Sequence, residues 1–156
     1  MRTSHQPIQI RTVSQSPHTP QEICEAFLRT ELWPSFQGYG PLPGIRSAAF
    51  EVQTPGWTGS VIRVRNTDGS SHAEEITRWD PEQGISIRFR DFASPVRHLA
   101  THFTEEWHFR RTAEGTEVTR IMEMHPRNWL GAWLLRPISR LMKQAFEHHN
   151  RKLAAG

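Results

Sequence analysis

The sequence predicts an α+β fold in which a curved antiparallel sheet of six to seven strands wraps a long C-terminal helix, with two short helices after the first strand. Three observations carry that prediction. Between residues 45 and 125, short segments of alternating apolar and polar residues are separated by turn signals such as Asp68-Gly69 and Glu114-Gly115, the period-two pattern of half-buried strands. From Trp129 onward, Leu130, Leu134, Ile138, Leu141, Ala145 and His149 recur every three or four residues, which sets them on one side of an α-helix. A helix with one apolar side, following a sheet with one apolar face, buries that side against the sheet, and such a pair of layers can enclose a pocket.

The elements follow in chain order. Ile8, Ile10 and Val13 mark a short first strand. In Thr19-Pro20-Gln21-Glu22, Thr19 can cap a helix, Pro20 suits its first position and Glu22 completes a capping box. That helix is expected to reach about Leu28, with a second short helical turn around Glu31 to Phe36 that Pro34 keeps brief. Glycines and prolines from Gly38 to Gly44 interrupt any regular structure before a strand over Ile45 to Gln53, and Pro55 to Gly59 forms a loop presenting Trp57. Val61 to Asn66 and His72 to Trp79 flank Asp68-Gly69 as a hairpin.

A turn at Asp80 to Gly84 leads into a strand over Ile85 to Phe92, and Ala93 to Arg97 is a wider connection. Leu99 to Arg110 and Thr116 to His125 form the last hairpin. Pairing Arg111 with Thr116 there sets Phe109 opposite Val118, Trp107 opposite Arg120, Glu105 opposite Met122 and Phe103 opposite Met124. Pro126 ends the strand and Asn128 can cap the final helix. Pro137 removes one helical hydrogen bond, which predicts a kink or break near Leu134.

Composition narrows the function. The 156 residues suit a single domain over 1–156, large enough for a core with a cavity. Six Trp and eight Phe supply much of the core volume. The net charge of +3 is spread along the strands, and neither the basic stripe nor the motif of a nucleic-acid binder appears before residue 136, so no nucleic-acid partner is expected. A lone Cys24 cannot form an internal disulfide and suits a reducing compartment. Met1 to Arg11 lacks a secretory apolar core, and no apolar run is long enough to cross a bilayer. A cytoplasmic protein is expected.

The order of elements and several local stretches resemble a known family. Thr19-Pro20 through Leu28 with Trp33-Pro34, Glu75-Ile76-Thr77 leading to Asp80-Pro81, Glu106-Trp107-His108-Phe109, Gly115-Thr116-Glu117-Val118-Thr119 and Arg136-Pro137-Ile138 together look like the START-like (SRPBCC) superfamily, in its polyketide cyclase/dehydrase, Bet v 1-like branch. The similarity spans roughly residues 7 to 153. It implies a helix-grip fold with an internal hydrophobic cavity, hence a small hydrophobic or amphipathic ligand, or alternatively cyclase or dehydratase chemistry in that cavity. None of these stretches is a catalytic motif, because they mark turns and core positions.

The residues expected to line the cavity come from both layers. From the sheet they are Ile76, Arg78, Ile87 and Phe89, followed by Phe103, Glu105, Trp107, Arg120 and Met122. From the helix they are Leu134, Ile138, Leu141 and Ala145. Glu105 and Arg120 fall among apolar residues on the inner face, as do Glu74 and Arg78 on either side of Ile76, and a charge buried there costs several kcal/mol unless paired or solvated. Glu105 and Arg120 either pair with each other at the cavity wall, or the register slips near the sheet ends, or they serve as catalytic groups, Arg120 orienting an acidic or carbonyl group and Glu105 accepting a proton or hydrogen bond.

His98, His102, Glu106 and His108 do not suggest a metal site, since His98 and His102 on a strand stand ~13 Å apart. No glycine-rich phosphate loop, dinucleotide fingerprint or nucleophile elbow is present, and no cofactor is expected. One of His148 and His149 is expected at the cavity wall. Trp57, Trp129 and Trp133 either surround a mouth or pack in the core, the second being favoured for Trp133, and Trp129 to Lys143 offers a weak membrane-surface contact as a third reading. The oligomeric state stays open.

Overall fold

The computed structural model describes residues 6–155. Its elements are β1 (Ile8–Ser16), α1 (Pro20–Leu28), a 3-10 turn over Thr30–Ser35, β2 (Ile45–Val52), β3 (Val61–Asn66), β4 (Ser71–Asp80) and β5 (Gly84–Arg90). They are followed by α2 (Val96–Leu99), β6 (Ala100–Thr112), β7 (Gly115–Pro126) and α3 (Trp129–Ala155). The seven strands form one antiparallel sheet in the order β1-β7-β6-β5-β4-β3-β2. The first strand pairs with the last, Ile10 opposite Met122 and Thr12 opposite Arg120, so the two termini meet at one edge. There α3 lies chiefly over β1 and β7.

Local chemistry accounts for the element boundaries. Thr19 Oγ1 accepts from the Glu22 N–H while the Glu22 carboxylate accepts from the Thr19 N–H, closing the capping box that starts α1. Asn128 Oδ1 accepts from the Gly131 N–H at 2.8 Å and caps α3. The β6–β7 hairpin carries the anticipated register, with Phe103, Glu105, Trp107 and Phe109 opposite Met124, Met122, Arg120 and Val118. Since its twelve paired positions alternate in burial along β7, slipping by one residue would turn Met122 and Met124 to solvent.

Three expectations are corrected. In β1 the inner residue is Thr12, while Val13 is 49% exposed, because Ile8 and Ile10 set the parity and Val13 falls out of phase. In β4 the pairing shifts between Ile76 and Arg78. The extra residue of this bulge turns Arg78 to the exposed side, where its guanidinium stands 3.9 Å from Asp80.

The third concerns α3, which runs through Pro137 as one helix. Pro137 is exposed, so the carbonyl that loses its N–H partner lies on the side that water reaches. The buried stripe is also rotated from the expected one. Gly131, Leu135, Ser139, Phe146 and Asn150 face the sheet together with Ala145, whereas Leu130 and Leu134 are exposed. The cause is a close approach: a Cβ on Gly131 would lie 2.2 Å from the Leu99 carbonyl oxygen. Gly131 is the position at which the first turn of α3 can touch the backbone at the end of α2, and that contact sets the helix's rotation.

Candidate functional site

A cavity of about 790 Å3 lies between the inner face of the sheet and α3. Its other walls are α1 and the 3-10 turn, with Ile23, Phe27 and Trp33, the connections carrying Leu42 and Phe92, and Val96 of α2. Trp33 is held in place by its indole N–H, which donates to the Phe27 carbonyl at 2.8 Å. The lining is mainly apolar, and its volume falls within the range of sites that enclose a drug-sized molecule.

Of the residues expected at the wall, Phe89, Phe103, Glu105, Trp107, Arg120, Met122, Ile138 and Leu141 line the cavity. The others lie elsewhere. Ile87 is buried in a packed cluster with Cys24, Ile85 and Phe109, with Phe27 against it, because α1 seats on that end of the sheet and separates it from the hollow. Ile76 and Ala145 are enclosed in the core and do not line the hollow. Arg78 is displaced by the bulge, and Leu134 by the rotation of α3. His149 is the histidine of the closing helix that reaches the wall, its ring 5.5 Å from that of Phe36. None of the three tryptophans weighed between a mouth and the core lines the cavity: Trp57 packs on Phe50 and Trp79, and Trp129 and Trp133 face outward, in neither place.

Two polar clusters interrupt the apolar wall. In the first, Arg120 Nη2 donates to Glu105 Oε1 at 3.2 Å and Nη1 donates to Asn150 Oδ1 at 3.3 Å. Asn150 donates in turn to Thr12 Oγ1, and the Trp107 indole N–H donates to Glu105 Oε1. The Arg120 guanidinium is sandwiched between the Trp107 and Phe146 rings, 4.5 and 4.2 Å from their centroids, and each such stacking is worth up to about 2 kcal/mol when desolvated. Glu105 Oε2 and Arg120 Nε are enclosed without a hydrogen-bond partner among the described residues. The cluster ties β1, β6, β7 and α3 together around one buried ion pair.

The second cluster stands on β4. His72 Nε2 lies 3.0 Å from Glu74 Oε2, and the Asn66 amide lies 3.4 Å from His72 Nδ1. The amide can only donate to that nitrogen, which leaves the ring proton on Nε2 to be donated to Glu74. The ring also stacks on Phe89 at 5.5 Å with an interplanar angle of 9°. Burial pushes the Glu74 carboxyl above its ordinary pKa, with the His72 hydrogen bond opposing it. Glu74 Oε1 accepts no hydrogen bond among the described residues, and the side chain borders the cavity. His72 escaped the sequence reading, although continuing the phase of Glu74 and Ile76 back by one pair would have placed it on the inner face.

The outer face of the sheet is of another kind. His102 stacks on His125 with ring centroids 4.2 Å apart, and His108 lies 3.1 Å from Glu106. Among the described residues no group of three or more His, Cys, Asp or Glu side chains is arranged to hold a metal ion, and no helix is long and apolar enough to cross a membrane.

A curved sheet clasping a terminal helix around a mainly apolar hollow defines the helix-grip class. The chain belongs to the family described as polyketide cyclase / dehydrase and lipid transport, whose model matches residues 7–155. Among solved structures it is similar to the major latex-like protein 151 of Panax ginseng, with 16% identity, 97% of each chain covered and a TM-score of 0.73. The structure of Ara h 8.0201 shares 15% identity over 96% of this chain and 99% of that one, with a TM-score of 0.68. One half of the di-domain ARO/CYC protein BexL from the BE-7585A biosynthetic pathway is also similar, with 16% identity over 96% of this chain and 50% of that one, and a TM-score of 0.66. At these identities the likeness is one of fold. No curated protein matches the chain.

Proposed function

We propose that the protein binds or carries a small, largely apolar molecule with one polar end in the cavity between sheet and α3. The observation that supports this most directly is the hollow of about 790 Å3, whose apolar wall is broken at the Glu74 carboxyl and at the Glu105–Arg120 pair. In this reading Phe89, Phe103, Met122, Ile138 and Leu141 hold the apolar body. Glu74 Oε1 meets a hydroxyl or carbonyl at the polar end, donating when protonated and accepting when ionised. The single buried Cys24 suits a reducing compartment and supports a cytoplasmic location in this reading.

The test is a thermal-shift screen of the whole chain against fatty acids, isoprenoids and polycyclic aromatic polyketides. A ligand at a hundredfold its dissociation constant stabilises the native state by about 2.7 kcal/mol, a rise of several degrees. No rise with any compound class would remove the reading.

A second reading, a cyclase or dehydratase acting on a polyketide-like substrate, draws on the His72–Glu74 pair, which puts a histidine and a carboxyl of raised pKa beside the hollow. Such a pair can relay a proton during dehydration. Glu105 and Arg120 remain candidates in this reading, although Arg120 is held by Glu105 and Asn150. Turnover of a bound polyketide that disappears in Glu74→Gln while binding persists would select this reading over carriage.

A further inference from the structure

The N-terminal half of α3 presents a face that the cavity does not use. Trp129 and Trp133, one helical turn apart, are 70% and 66% exposed, and Leu130 and Leu134 beside them are 44% and 36% exposed. Scattered exposed apolar residues are ordinary, whereas four large ones in contiguous turns mark an interaction surface. A surface groove bordered by Trp129, Leu130, Trp133 and Arg136 runs through the patch.

The charge around it has one sign. From Met124 through Phe146 the chain carries Arg127, Arg136, Arg140 and Lys143 and no Asp or Glu, and all four cations are exposed. The apolar stripe is also continuous with the interior. Leu130, Leu134, Ile138 and Leu141 follow one another at helical spacing, the first two facing solvent and the last two lining the cavity.

We propose that this face of α3 docks on an anionic lipid bilayer. Indole rings favour the level of the lipid headgroups, and the flanking arginines and lysine complement lipid phosphates. A second copy of this chain fits less well. A twofold contact through the patch would set Arg136 and Arg140 near their own equivalents, and like charges facing each other oppose association. Docked in this way, the stripe from Leu134 to Leu141 leads an apolar molecule from the bilayer surface towards the cavity wall.

The test is sedimentation of the whole chain with vesicles of phosphatidylcholine alone and of phosphatidylcholine mixed with phosphatidylglycerol, at low and high salt. The expected result is binding to the anionic vesicles with a blue shift of Trp emission, weak binding to the neutral ones, and loss in high salt as the surface charge is screened. Trp129→Ala with Trp133→Ala, and separately Arg136→Glu with Arg140→Glu, should each weaken anionic binding at least about tenfold. Because these side chains are exposed, melting temperatures should stay at the wild-type value.

Absence of binding, equal binding to both vesicle types, or variants that bind like wild type would overturn the proposal. A dimer in light scattering that dissociates in Trp133→Ala would overturn it in favour of a second copy. The ligand screen without vesicles reads the cavity alone, so failure of either proposal leaves the other measurable.

Discussion

The two polar clusters in the cavity wall solve the same problem in different ways. Arg120 and Glu105 cancel each other, and the remaining guanidinium surface is covered by Trp107, Phe146 and the Asn150 amide. Glu74 has no cation in hydrogen-bond contact; it has a histidine 3.0 Å away and meets burial by shifting towards the neutral form. The first arrangement ties strands and helix together and depends little on what fills the cavity. The second holds a carboxyl whose charge depends on its surroundings, which include the cavity it borders.

The largest expected effect breaks the first cluster. Arg120→Met strands the Glu105 carboxylate in the interior and should cost about 3–5 kcal/mol of stability, read by urea unfolding. Adding Glu105→Leu removes the stranded charge and should recover most of that loss, since well-packed apolar replacements of a buried pair are often neutral. A double variant as unstable as the single one would show that the pair is not the source of the cost. Asn150→Ala, which cuts the link from Arg120 to Thr12, should cost about 1–2 kcal/mol in the same assay.

Glu74→Gln sharpens the comparison through pH. The folded carboxyl has a raised pKa, so above its ordinary value near 4.5 the native state binds more protons than the unfolded state. Stability therefore falls as pH rises through that window. The variant lacks this fall and should gain melting temperature on wild type towards neutral pH, with little difference in acid. Parallel curves for the two proteins would exclude the shift. The smallest signal is at Cys24, whose thiol is pushed up to about 12 mainly by burial. It should react with iodoacetamide at neutral pH no faster than the chain unfolds, and rapid labelling of folded protein would mean that the α1 wall of the cavity opens.

Much of this molecule was legible because local rules sufficed. The capping box at Thr19 and Glu22, the Asn128 cap and the β6–β7 register each depend on residues close in sequence or on a short turn. Placements failed where distant backbone decided. Arg78 belongs to an inner-face phase that a bulge in β4 reverses, and no residue there announces a bulge. Leu134 continues a regular apolar stripe, yet the approach of Gly131 to Leu99 turns it outward. Ile87 has the parity of a wall residue, but α1 covers it. His72 was missed although its parity was readable and Glu74 stands two residues away on the same strand; its other partner, Asn66, lies across the hairpin on β3.

The amino-acid sequence by itself determined the order and kind of the elements apart from α2 and, away from the β4 bulge and Val13, which strand residues share a face, because periodicity and capping act over a few residues at a time. Its resemblance to the polyketide cyclase/dehydrase, Bet v 1-like branch of the START-like superfamily pointed to the helix-grip arrangement. Only the tertiary structure decided the depth at which each of those residues sits. That depth depends on where α1 seats, how α3 is rotated and where β4 bulges, which are outcomes of packing between segments far apart in the chain. The same packing sets Glu74 beside a cavity with an unengaged oxygen while it wraps Arg120 in aromatic rings, and so separates two buried charges that look alike in the sequence.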